Sequence, residues 1–100
     1  MLFGIGEKMR DYILKVDKDL EIVIEKKQKD VRKDVISQYI SCRKNLQMTQ
    51  TEIANILGTK RPNITRFENG TYNPTLDFLV KVAESMGKEL EIKLVDKTTP

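Results

Sequence analysis

"MTQTEIANILGTKRPNITRFENG", residues 48–70, decides the fold. Thr49 and Glu52 stand three apart, the spacing at which a capping hydroxyl and a returning carboxylate satisfy each other's backbone amides, and Met48 and Ile53 stand where a hydrophobic staple needs them. Gly58 falls where a left-handed residue closes a helix. These marks predict a short helix over 50–57. A second helix starts almost at once, with Pro62 in its first turn, where a missing amide hydrogen costs little, and stops at Gly70. For two such helices to cross, Ala54 must be small and Gly58 must accept the sharp turn, while Ile53, Leu57, Ile64 and Phe67 must be apolar to hold the pair on a core. All six positions comply.

Outward from this stretch the apolar spacing stays helical. Val35, Ile36, Tyr39, Ile40, Cys42 and Leu46 predict a helix from about Asp30 to near Asn45. "NPT" at 73–75 is a turn, and Thr75 caps a helix through Leu76, Leu79, Val80, Ala83 and Met86 to Gly87. Met9, Tyr12, Ile13, Val16, Leu20, Val23 and Ile24 fit one helical face, although "LEIVI" at 20–24 also alternates as a strand would; Asp17 and Asp30 are N-cap candidates that would divide this region into consecutive helices. "KELEIKLVD", residues 88–96, alternates Leu90, Ile92 and Leu94 with charged residues and predicts a strand.

The formal charge of +3 is mild, but its distribution is not even. Residues 1–40 carry nine cations and eight acids, residues 41–70 five and two, and residues 71–100 four and five, so the positive excess lies in the middle. With one cysteine, Cys42, and no histidine, the chain offers no internal disulfide, no thiolate/imidazole metal site and no histidine-based acid/base chemistry. The expectations are therefore no catalysis, no cofactor and no metal. Cys42 reads as a small core residue in a reducing, cytoplasmic setting. "MLFGIG" at 1–6 is too short for a signal-peptide core or a membrane span, so a soluble, unexported chain with no membrane partner is expected.

"TQTEIA", "ITRFENG", "NPTL" and their mutual distances resemble the Cro and phage-repressor (Xre-type) helix-turn-helix family, over about residues 35–87. The resemblance implies an all-α, lambda-repressor-like bundle of four or five helices that binds a double-stranded DNA operator as a two-fold homodimer. In such a motif the second helix lies in the major groove and the first crosses the phosphate backbone. The resemblance further implies that Gln50 clamps the DNA backbone, that Lys60, Arg61, Asn63 and Thr65 share the exposed face of the recognition helix with Thr59 at its approach, and that Arg66, Asn69 and Tyr72 reach flanking phosphates. It also implies an internal ion pair between Arg43 and Glu68.

The chemistry of these side chains is compatible with those roles. The fork of Arg61 matches guanine O6 and N7, and Asn63 can pair with adenine or donate to phosphate, whereas Lys60 and Arg66 suit salt-dependent, sequence-neutral contacts. Each has a plainer alternative. The segment 59–70 could be a solvated cationic face, Gln50 and Asn69 could cap or solvate helix ends, and Tyr72 could pack on the last helix instead of reaching DNA. Lys60 stands where the family usually has a small cap, so Thr59 or water must take over capping, Arg61 stands where the family often has glutamine, and Gln47 stands where the family has a glycine, from which a less sharply closed first turn is expected.

The expected organisation is an amphipathic helical extension at 1–30, the DNA-binding domain at 31–87, a dimerisation strand at 88–96 and a tail at 97–100. A lone strand must find a neighbour, either the same strand of a second subunit, as in antitoxin-type members of the family, or "LEIVI". The reading is a transcriptional regulator, a repressor and the antitoxin of a toxin–antitoxin pair, with the N-terminal 30 residues holding the toxin. Its rivals are a stand-alone phage-type repressor and a protein-interaction module that keeps the helix-turn-helix only as a scaffold.

Overall fold

A computed structural model describes residues 17–97 and contains four helices: α1 (Asp17–Asn45), α2 (Gln50–Leu57), α3 (Arg61–Asn69) and α4 (Leu76–Ser85). The chain divides into two units, residues 1–34 and 35–100. In the first unit the described residues are all helical. Position 30 does not divide the helix, and "LEIVI" is helical, not extended. The physical reason is that neither glycine nor proline occurs between residues 7 and 57, and the β-branched run is flanked by good helix formers in "EKKQK". Without a neighbouring strand a five-residue run gains nothing by extending. Ile22, Val23, Ile24 and Val31 stay exposed, Leu20 half-buried. The helix expected from Met9 lies partly outside the described residues.

The second unit is built on Ile36, Tyr39, Ile53, Ala54, Ile64, Phe67, Leu79, Val82, Ala83 and Met86, with Cys42, Leu57 and Leu90 packed partly against them. Phe67 is 1% exposed and stands between two aromatic rings, Tyr39 at 5.4 Å and Phe78 at 5.2 Å, both edge-to-face. That geometry sets the positive ring edge against the negative face. The Tyr39 hydroxyl donates to the Leu79 carbonyl at 2.7 Å, tying α1 to α4, and burial pushes its pKa above the usual phenol value.

The local marks act as expected at both ends of α2 and at the start of α4. Thr49 and Glu52 form the reciprocal capping box, Gly58 takes φ +67° after α2, and Thr75 accepts from the Phe78 amide at 3.0 Å. At the turn after α1 the outcome differs. The turn is fully closed, with the Met48 amide donating to the Arg43 carbonyl at 3.1 Å, because Gln47 itself adopts φ +57°. A side chain in that conformation is strained. Gln47→Gly should therefore stabilise the domain by about 0.5 to 1 kcal/mol, read as an increase in Tm; a lower Tm would mean that the Gln47 side chain contributes more than its backbone costs.

The strand expected over 88–96 is absent, and among the described residues no strand occurs. Leu90 packs on the core, but Ile92 is 61% exposed and Leu94 fully exposed. A strand is held by hydrogen bonds to a neighbour, and the other candidate, "LEIVI", is consumed in α1.

Candidate nucleic-acid interface

Helices α2 and α3 pack on each other through Ile53, Ala54 and Ile64, each 1% exposed. Ala54 permits the close approach, and the Thr59 amide donates back to the Ala54 carbonyl at 2.9 Å, which fixes the turn. α3 then begins without a side-chain cap: Lys60 at the cap position makes no capping bond. Thr59 does not replace it, since its hydroxyl accepts from the Asn63 side-chain amide at 2.7 Å instead. The open N-terminus of α3 carries no acid in its first turn, and Lys60 and Arg61 stand exposed beside it.

Beneath this face lies a chain of polar contacts. Arg43 donates through Nε to Glu68 Oε2 at 2.7 Å and through Nη2 to Oε1 at 2.8 Å, a two-pronged pair, while Nη1 donates to the Met48 carbonyl at 2.9 Å. The paired side chains are only 13% and 9% exposed. Glu68 Oε1 also accepts from Gln50 Nε2 at 3.0 Å. On its other side Gln50 Oε1 accepts from the Thr65 hydroxyl at 2.8 Å and, more weakly, from Arg61 Nε at 3.4 Å. Three positions of α3, Glu68, Thr65 and Arg61, thus converge on one glutamine of α2, with Arg43 of α1 behind Glu68.

The remaining residues of the expected site fall into two groups. Lys60, Arg61, Arg66 and Asn69 are exposed. Asn63 is half-buried with both ends of its amide engaged: the nitrogen donates to Thr59 and the oxygen accepts from Arg66 Nη1 at 3.3 Å. Tyr72 packs on α4. Its ring lies edge-to-face with Phe78 at 6.2 Å, while its hydroxyl remains near the surface, 3.5 Å from the Asn63 carbonyl. Burial raises its pKa and the nearby Arg66 cation partly lowers it again.

One contributor, Thr71, and one role, that of Gln50 among its neighbours, were not anticipated. Thr71 donates its hydroxyl to the Arg66 carbonyl at 3.1 Å and so satisfies the C-terminal end of α3. Gln50 acts as the hub of the buried contacts as well as standing at the surface; its partners lie 15 and 18 residues away, so no local spacing signals them. Among the described residues no helix is long and apolar enough to cross a membrane.

Comparison with known proteins converges on the same stretch. Residues 40–93 match the family described as helix-turn-helix. An HTH-type transcriptional regulator of Haemophilus influenzae is 34% identical over 66 residues, covering 66% of this chain and 67% of that protein. Another, from Methanothermobacter thermautotrophicus, is 38% identical over 47 residues, 47% of this chain and 68% of the relative. A solved structure described as a toxin-antitoxin module from Streptococcus pneumoniae superposes with a TM-score of 0.58 at 30% identity, covering 72% of this chain and 79% of that one.

Proposed function

Because this chain belongs to the helix-turn-helix family of the phage-repressor type, we propose that it is a DNA-binding transcriptional regulator that reads an operator with α3 and represses the promoter it occupies. The observation that supports this most directly is the exposed, acid-free N-terminus of α3 with Lys60 and Arg61 on it, backed by a ready-made polar chain that holds Gln50 and Thr65. Such a helix end presents its dipole and its cations to the same side, which favours an anionic duplex. Glu68, on the same helix, is paired with Arg43 and does not oppose the approach.

Within this reading Arg61 pairs with guanine, while Lys60 and Arg66 supply phosphate contacts. Gln50 and Asn69 add backbone contacts, and Tyr72 offers its hydroxyl to a flanking phosphate. Asn63 reads DNA only by exchanging its internal partners. Two half-sites about 34 Å apart require two copies, and the exposed Ile92, Leu94 and Val95 are the apolar surface beside the DNA-binding domain that a second copy would bury. Arg61→Ala should weaken binding to an operator selected from random duplexes by about 1 to 3 kcal/mol and relax preference at one base pair per half-site, with two chains bound per duplex. An unchanged base preference would remove Arg61 from the reading role; failure of the wild-type chain to enrich any sequence would leave the scaffold alternative.

The antitoxin subtype has its own support. The structural relative at 30% identity is described as a toxin-antitoxin module, and the first unit of this chain exposes Ile22, Val23, Ile24 and Val31 on a charged helix. In this arrangement residues 31–87 bind DNA and the N-terminal 30 residues hold a toxin protein. A chain lacking residues 1–30 would then keep operator binding and lose the toxin.

A further inference from the structure

We propose that Thr65 serves recognition as a positioning residue acting through Gln50, so that the side-chain contact it makes inside the protein, and not one to a base, is its contribution to operator binding. The inference rests on the DNA-binding reading above.

The argument runs from donors and acceptors. A glutamine amide has two chemically different ends that exchange places by a simple rotation, and an exposed glutamine samples both. Here the choice is forced. Glu68, gripped by the Arg43 fork, presents only acceptor oxygens, so the end of Gln50 that faces it at 3.0 Å must be the NH2. The oxygen is thereby turned toward α3, where the Thr65 hydroxyl donates to it at 2.8 Å. A threonine inside a helix ordinarily gives its hydroxyl proton to the carbonyl four residues back. That acceptor, the Arg61 carbonyl, is present at 3.3 Å, but the Gln50 oxygen is half an ångström closer.

Three consequences follow for recognition. Gln50 is held at both ends, which leaves its second amide hydrogen to point in one direction instead of two. The same oxygen lies 3.4 Å from Arg61 Nε, so the fork proposed to read guanine is biased toward one orientation before DNA arrives. Binding then orders fewer side chains, and that part of the entropic cost of association is lowered in advance. Thr65 itself is half-buried with its one proton already committed, which leaves its hydroxyl poorly placed to donate to a base.

The test compares Thr65→Val and Thr65→Ser in the full chain on the operator selected by the wild type. Valine keeps the shape and removes the hydroxyl; serine keeps the hydroxyl and removes the methyl. Valine should weaken binding about two- to tenfold, the range one hydrogen bond contributes, and serine should restore most of it. Thr65→Ala, a better helix former, should repeat the valine loss and guards against a folding artefact, which thermal melts of each variant would register. In a Gln50→Ala background Thr65→Val should cost nothing further. In the free protein, the side-chain amide resonances of Gln50 should move in Thr65→Val and return in Thr65→Ser.

Wild-type affinity in Thr65→Val overturns the proposal. So does a loss confined to Thr65→Ser, which would mean that the methyl reads a thymine, or a Thr65→Val loss that persists undiminished in the Gln50→Ala background. A wild-type chain that selects no operator overturns the DNA-binding reading and this inference together, whereas a wild type that binds and a valine variant that binds equally well removes only the inference.

Discussion

Phe67→Ala should lower the unfolding free energy by about 3 to 5 kcal/mol, which removes most of the stability that a domain of this size holds. Phe67 is 1% exposed and has ring neighbours on two sides, Tyr39 from α1 and Phe78 from α4, so truncation empties the place where three helices meet. The cavity cannot close cheaply. Tyr39 is tethered through its hydroxyl to Leu79, and Ile64, one turn earlier in α3, is itself enclosed. Urea unfolding followed by helical circular dichroism measures the change. A loss below about 1 kcal/mol would mean that the surroundings collapse into the space and that Phe67 is not the keystone its position implies.

The second large effect is expected from Glu68→Ala. It strands the Arg43 guanidinium, leaving it only the Met48 carbonyl, and a nearly enclosed charge without its partner is costly. We expect a loss of about 2 to 4 kcal/mol, slightly below the range for fully enclosed pairs because both side chains retain some contact with water. Arg43→Met combined with Glu68→Leu should recover much of that stability, since two apolar side chains of similar bulk need no solvation. Operator affinity, in contrast, should stay low in the double variant, because Gln50 has lost the carboxylate that orients it. Recovery of affinity together with stability would make the ion pair structural and nothing more.

These two substitutions touch different kinds of information in the chain. The capping box at Thr49 and Glu52, the closing glycine at 58 and the cap at Thr75 could be read directly, because each works through residues three to five positions apart and needs no distant partner. The apolar spacing likewise identified Ile36, Tyr39, Ile53, Ile64, Phe67 and Leu79 as core, since burial of one helical face repeats every three or four residues. The ion pair of Arg43 with Glu68 was reached through family resemblance; its residues are 25 apart and carry no pattern of their own.

Where local reading went astray, a longer-range condition decided. Alternation at 88–96 is a necessary mark of a strand but supplies no hydrogen-bonding neighbour, and residues 91–97 stay irregular and exposed. At 20–24 the expected helix prevails over the alternation, because an uninterrupted helix gains a hydrogen bond with every added residue. At Gln47, backbone hydrogen bonds back to the end of α1 closed a turn for which the residue itself is poorly suited.

The amino-acid order by itself determined the boundaries of α2, α3 and α4, the apolar face of each and the concentration of cations between them, because those properties are set within a turn or two of chain. Only the tertiary structure decided that one glutamine would be held between a carboxylate and a hydroxyl, and that Asn63 would be turned inward while Arg61 faces out. Hydrogen bonds between side chains depend on fractions of an ångström and on direction, and those are known only once three helices have been packed against a common core.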